Sequence, residues 1–201
     1  MNNIEIGERE KRLLDEQERL IVRALIRDPR LSDNQIGKLT GVPTPTVRRK
    51  RKKLEDEGLL SYYCALDMQE RGTGHFSARH LYVIKFRIGI TVTQIVEEIK
   101  HEPNIRTIFT DLIYESHIAE TEGRVALIMI VEGKHATDIV ENMHATIIPS
   151  LRKNHGPDSI EEVSSIRLLA PIRIFHNYVP LVNMHGGVLR ADWPKDAVFV
   201  G

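Results

Sequence analysis

The sequence predicts an α+β protein, an N-terminal winged helix-turn-helix followed by a ferredoxin-like (βαββαβ) domain. Three observations carry this reading. Three short helical patterns fill residues 14–57, the last two separated by a Gly-containing turn. Capping-box spacings open helices at Asp15–Glu18, Ser32–Gln35 and Thr91–Gln94. The second half then alternates strand-length apolar runs with amphipathic segments in the order strand, helix, strand, strand, helix, strand.

In the first half, Leu20, Ile21, Ala24 and Leu25 recur at helical spacing after the Asp15 box, and Pro29 closes helix one. Helix two puts Ile36 and Leu39 inward and stops at Gly41, a residue that tolerates the left-handed conformation at a helix end. Thr44-Pro45 reads as an N-cap hydroxyl and a proline at the first position of helix three, which runs to about Glu57 before Gly58. Ser61 to Leu66, with Tyr62, Tyr63 and Cys64, reads as a strand of the wing. The first domain is therefore placed at 1–66 and a polar, Gly-containing linker at 67–79.

The second domain, 80–175, opens with a strand whose Tyr82, Ile84, Phe86 and Ile88 share a face. Val92, Ile95, Val96 and Ile99 give a helix face ending before Pro103. Ile105 to Ile118 is strand-rich, Thr121-Glu122-Gly123 turns into a central strand from Arg124 to Val131, and Val163 to Phe175 forms the last strand. Between them Ala136, Ile139, Val140, Met143 and Ile147 mark a second helix, interrupted or ended near Pro149. With both helices on one sheet face the other needs a cover, and a second copy is the simplest, which predicts a homodimer or higher homo-oligomer. Residues 176–201 form a C-terminal extension too apolar for a disordered tail, expected to pack on the second domain or on a neighbour.

Composition bounds the function. At 201 residues, 41% hydrophobic and 28% charged, the chain suits two modest globular domains. Its strongest apolar run, Val125 to Val131, is strand-length, far below the roughly 20 residues of a membrane helix. The single Cys64 excludes an internal disulfide and a cysteine-based zinc site, and a reduced, cytoplasmic protein without a membrane partner is expected. The nine histidines show no HxH or HxxxH pair, and no phosphate loop or nucleophile motif is present; no metal, cofactor or catalytic residue is expected.

The net charge is zero, yet Arg48-Arg49-Lys50-Arg51-Lys52-Lys53 places six cations in a row on helix three. On a helical wheel Val47 and Leu54 face the core, whereas Pro45, Arg49, Lys52 and Lys53 lie opposite, with Thr46 and Arg48 at the margins. Lys50 flanks this face, and Arg51 leans toward the core. A helix with outward Arg and Lys fits the major groove of duplex DNA, so Thr44, Pro45, Thr46, Arg48, Arg49, Lys50, Lys52 and Lys53 are the candidate DNA contacts. Arg49 and Lys53 are the choices for base edges, and Arg48, Lys50 and Lys52 for phosphates.

Residues 14–66 resemble the leucine-responsive/asparagine-operon (Lrp/AsnC) regulators. The resemblance lies in Leu14-Asp15, Asp28-x-Arg30-x-Ser32, Ile36 and Leu39, Gly41-Val42, Val47, and Leu54-Glu55-x-x-Gly58-Leu59-Leu60. Residues 80–175 are similar in element order to that family's regulatory domain. The resemblance implies a sequence-specific transcriptional regulator, not an enzyme, that answers to a small effector such as an amino acid. It places the effector near loops 119–124 and 132–136, with Glu122, Gly123 and Arg124 as candidate contacts. Arg51 stands where members usually carry an apolar residue, Gly123-Arg124-Val125-Ala126 where Gly-Asp-aromatic-Asp is common, and the extension exceeds the usual length. Two alternatives keep the layout: a low-specificity, nucleoid-type DNA binder, and an enzyme like the siroheme decarboxylases, whose helix-turn-helix is degenerate.

Overall fold

The computed structural model describes residues 12–70, 72–101 and 108–200. The chain divides into one unit of residues 1–64 and 171–201 and a second of 65–170.

The first unit contains α1 (Glu16–Arg27), α2 (Asp33–Thr40) and α3 (Thr44–Asp56). Both predicted capping boxes form: the Asp15 carboxylate accepts from the Glu18 amide at 2.9 Å, and the Ser32 hydroxyl from the Gln35 amide at 3.3 Å. Gly41 closes α2 at φ 75°, where a β-carbon would be strained. Ile21, Ala24, Leu25, Ile36, Val42 and Val47 are buried together, with Leu20, Leu31 and Leu60 against them. Leu39, expected inward, is 59% exposed. The start of α3 is displaced from expectation. Pro43 is its N-cap and accepts from Thr46 and Val47, while Thr44 is already helical and its side chain makes no cap bond. Residues 61–66 form no strand: a ladder needs a second strand, and none lies alongside among the described residues.

The extension belongs to this first unit, contrary to the expectation that it packs on the second domain. Tyr178 donates its hydroxyl to the Ile26 carbonyl at 3.0 Å, one of the carbonyls a helix C-terminus leaves open. Arg27 donates to the Trp193, Ala191 and Arg190 carbonyls at 2.8, 3.0 and 3.2 Å. The extension is ordered from within by Asn183, which is 1% exposed, accepts from the Val179 amide and donates to the Asn177 carbonyl. Its β5 (Met184–His185) and β6 (Val188–Leu189) make a short hairpin, and β6 lies against α1. The physical reason is the C-terminal end of α1, which offers the Ile26 carbonyl and the Arg27 guanidinium as partners.

The second unit is a four-stranded antiparallel sheet of order β2-β3-β1-β4, from β1 (Ala78–Phe86), β2 (Ile113–Thr121), β3 (Arg124–Gly133) and β4 (Ile160–Leu168). Helix α4 (Val92–His101) follows β1, and short α5 (Ile108–Leu112) precedes β2. After β3, α6 (Ala136–Asn142), a π-turn (Met143–Ile147) and α7 (Ile148–His155) form one continuous helical stretch. The Thr91–Gln94 box forms as predicted, with the Gln94 amide donating to the Thr91 hydroxyl at 3.2 Å. The core joins Tyr82, Ile84 and Phe86 to Leu127, Met129 and Val131 under Ile95, Ile139, Met143, Ile147 and Leu151.

Several boundaries differ from the sequence expectations. Residues 67–76 are a hydrogen-bonded loop, with a bridge between Gln69 and Phe76, and the first strand begins at Ala78. That strand ends at Phe86, so Ile88 is 83% exposed. The chain from Ile108 to Leu112 is helical rather than extended, and Ile105 lies outside the described residues. Pro149 does not end the helix. The wider π-turn, in which the Ile148 amide donates to Met143, makes Pro149 an early residue of α7, where its missing N–H has no ladder bond to break. The last strand ends at Leu168, opposite Arg79, near the start of β1.

Phe86 is fully buried, so Phe86→Ala should cost about 3–5 kcal/mol. Ile88→Ala should stay within about 0.5 kcal/mol. Denaturant unfolding of the two variants checks this assignment, and equal losses would place Ile88 in the core after all.

Candidate nucleic-acid interface

Helix α3 divides its cations between two sides. Arg48, Arg49, Lys52 and Lys53 are exposed, as are Thr44 and Pro45, while Thr46 is half-buried. Lys52 pairs with Asp56 at 2.9 Å and Lys53 with Glu57 at 3.8 Å, both one helical turn on. Arg48 and Arg49 have no ion-pair or hydrogen-bond partner among the described residues. They are the side chains on this face whose donors are not already engaged, and they sit in the first half of the helix, the part that enters a groove first. The choice of Lys53 as a base reader is weakened by its acidic neighbour.

Lys50 is a correction. Expected to flank the DNA face, it is 8% exposed, and its ammonium is bonded to the Asp15 carboxylate at the start of α1. The spacing carried this signal: Lys50 lies three residues after Val47 and four before Leu54, on the face those two define. Asp15 is thus held from two sides. Lys50 and the Glu18 amide both lower its carboxyl below the ordinary aspartate range. Burial pushes the neighbouring Glu18 up, but hydrogen bonds from Arg12 (2.6 Å) and from the Asp15 amide (3.0 Å) outweigh it and leave Glu18 low as well. Arg12 also reaches Glu57 at 3.1 Å, which ties the segment before α1 to the end of α3.

Arg51 faces inward as expected. Its guanidinium donates to the Leu31 carbonyl at 3.0 Å and to Glu55 at 3.0 Å, and lies 5.2 Å from the Tyr62 ring centroid. Burial and a hydrogen bond to Glu55 push the Tyr62 phenol up to about 12. Tyr62 is therefore held on α3 by Arg51 and Glu55 instead of by a neighbouring strand.

In the second unit the candidate effector residues sit on the hairpin between β2 and β3, where Thr121 opposes Arg124. Glu122 (φ 52°) and Gly123 (φ 74°) are the two turn residues, both left-handed, as a two-residue hairpin requires. Glu122 is bonded to Lys85 and Arg124 to Glu161, so both charges are engaged. A cleft of about 570 Å³ in this unit lies elsewhere, lined by Gln94, Glu97, Glu98, His101, Asn154 and His155. No group of His, Cys, Asp or Glu among the described residues is arranged to hold a metal, and no helix there is long and apolar enough to cross a membrane.

The opposite sheet face is open. Leu81, Val83, Ile128 and Ile130 are half-buried, and Ile166, beside Leu81, is 59% exposed. Ion pairs rim this apolar stripe: Arg79 with Glu132, which also accepts from Gln69 at 2.5 Å, and Lys85 with Glu122.

Lys50→Ala should lower stability, since it leaves a hole and removes the partner of Asp15, whereas Arg49→Ala should change stability by less than about 0.5 kcal/mol. Asp15 and Glu18 have lowered folded-state pKa values, so their contribution is present at neutral pH and is lost as pH falls below about 4. Asp15→Asn should flatten that acid limb of the stability profile, measured by thermal unfolding across pH.

The winged helix-turn-helix DNA-binding family matches residues 14–61. No curated protein matches the chain in sequence. Among solved structures, the leucine response regulatory protein LrpA of Mycobacterium tuberculosis is similar at 16% identity and a TM-score of 0.58, over 83% of this chain and 100% of that one. AsnC of Escherichia coli is similar at 15% identity and 0.56, over 81% and 97%. A transcriptional regulator of Neisseria meningitidis, solved as a complex with L-methionine, is similar at 14% identity and 0.58, over 81% and 94%. The chain carries an N-terminal winged helix-turn-helix and has the two-domain α+β fold of the Lrp/AsnC regulators.

Proposed function

We propose that the protein is a sequence-specific, DNA-binding transcriptional regulator of Lrp/AsnC type, acting as a homodimer or higher homo-oligomer. The observation that carries this is the pair of unengaged guanidiniums, Arg48 and Arg49, exposed on the reading helix of a helix-turn-helix. Arg is suited to guanine O6 and N7 because its fork donates two parallel hydrogen bonds. Lys52 and Lys53, with Thr44, Pro45 and Thr46 at the helix start, would meet phosphates and set the register. The engaged carboxylates of Asp56 and Glu57 would exchange their lysines for phosphate at modest cost, because exposed pairs contribute little.

A single module contacts too few base pairs for useful affinity, so assembly is part of the function. The open stripe of Leu81, Val83, Ile128, Ile130 and Ile166 is the surface a second copy would cover. Effector control is the finer part of the reading. Its support is the fold shared with a regulator solved with L-methionine and the placement of Glu122, Gly123 and Arg124 on a hairpin. An effector can act only by preferring one quaternary arrangement over another. At this hairpin it would compete with the Lys85–Glu122 and Arg124–Glu161 pairs.

Selection of bound sequences from a random duplex pool should return a half-site motif, with binding that survives excess random duplex at about 0.15 M salt. Arg48→Ala and Arg49→Ala should each weaken the selected site by about 5- to 150-fold, the range for losing one bidentate base contact. Binding that is equally strong to random duplex would instead indicate a nucleoid-type binder. Ile166→Lys should convert the dimer to monomer in light scattering while leaving the circular dichroism spectrum unchanged; an unaltered dimer would reject this face as the interface.

A further inference from the structure

The C-terminal extension closes a second covalent route between the two units. The chain passes from the first unit to the second at 64–65 and returns at 170–171, so the DNA-binding unit is tied to the second unit at both ends. The outgoing connection spans 63–66, between Tyr62, which lies against Arg51 of α3, and the bonded loop that begins at Asp67. Fully extended, those residues reach about 14 Å. The returning connection spans 169–173, between the end of β4 and the Ile174–Tyr178 bridge that starts the docked extension. Its reach is about 17 Å. Leu169 is 88% and Ile172 76% exposed, and Ala170 and Pro171 are exposed too, so this return is an uncovered strand of chain.

The docking end is built for holding. The Arg27 guanidinium donates to three carbonyls, the Tyr178 hydroxyl to a fourth, and Asn177 clasps the terminal segment by bonding both the amide and the carbonyl of Phe199. These bonds involve backbone groups that would otherwise need water, so the extension behaves as part of the unit it docks on. The LrpA structure is covered in full by 83% of this chain, so the remainder of this chain has no counterpart there.

We propose that residues 169–200 act as a strap that restricts the orientation of the DNA-binding unit relative to the sheet domain. One flexible connection leaves a module free to rotate about its attachment point. A second one at a different point narrows that freedom, and it does so from β4, the strand that carries Ile166 on the open sheet face. In a dimer the strap would narrow the set of distances between the two reading helices, and with it the spacings between half-sites that one protein accepts. This last consequence rests on the DNA-binding reading; the strap itself does not.

The test inserts a short protease-recognition segment between Ala170 and Pro171 of the full chain and compares intact and cleaved protein. Amide relaxation by NMR should show the two units sharing one rotational correlation time before cleavage, with the DNA-binding unit tumbling faster afterwards, while the cleaved extension stays bound in gel filtration. Arg27→Ala with Tyr178→Phe should produce the same loosening without a cut. On duplexes whose half-sites are moved apart by about half a helical turn, the intact protein should lose about tenfold in affinity and the cleaved protein about threefold or less. Identical relaxation before and after cleavage, or release of the extension, would overturn the strap. Failure of both forms to bind any duplex would overturn the DNA-binding reading and leave the relaxation result to decide the strap.

Discussion

The bond between the Lys50 ammonium and the Asp15 carboxylate joins the middle of the reading helix to the start of α1. Around it gather the Glu18 capping box, Arg12 and Glu57, so that both ends of the first unit's charge network meet at one corner of the helical trio. This arrangement decides what α3 shows to solvent. With Lys50 and Arg51 turned to internal partners, Arg48, Arg49, Lys52 and Lys53 are left outside, and the exposed basic side becomes narrower and better defined than six consecutive cations suggest. Charged groups held this way near a core are weak contributors to net stability but strong constraints on geometry, because leaving either one unpaired is costly.

Arg51 illustrates the same economy of position. On the core-leaning side of α3, this chain satisfies a guanidinium with the Leu31 carbonyl, Asp33, Glu55 and the face of Tyr62. The aliphatic stem still fills part of the space an apolar residue would, and the charged head holds the segment after the helix. That segment then needs no hairpin partner to be fixed near α3. In the second unit the equivalent constraint is the sheet: its helix-facing side is closed by α4, α6 and α7, whereas its other side keeps an apolar stripe rimmed by ion pairs, a surface suited to a symmetric copy.

Much of this was legible from local chemistry. Three capping boxes, the Gly41 stop and the Thr121–Arg124 hairpin are interactions among residues close in sequence, and each forms where its spacing places it. The division of α3 was half legible. Arg51 and Lys50 occupy mirror positions about the Val47–Leu54 axis, so the wheel puts both near the core, but the inward turn of Lys50 also depends on the Asp15 carboxylate 35 residues earlier. The errors in strand ends at Ile88 and beyond Leu168 have a similar cause. Apolar residues continue in both places, but the ladder bonds stop, and a strand's end is set by pairing with its neighbours.

The amino-acid sequence by itself determined the fold class and the helix caps at Asp15, Ser32, Gly41 and Thr91, since these follow from periodicities and short-range hydrogen bonds. Only the tertiary structure decided which cations are spent internally, that residues 61–66 stay without a strand partner, and that the extension returns to α1. Those outcomes rest on contacts such as Arg27 with the Trp193 carbonyl, 166 residues apart, whose donors and acceptors are present in every chain and carry no local signature. A backbone carbonyl is the same acceptor at every position, so the choice among them is made by the fold as a whole.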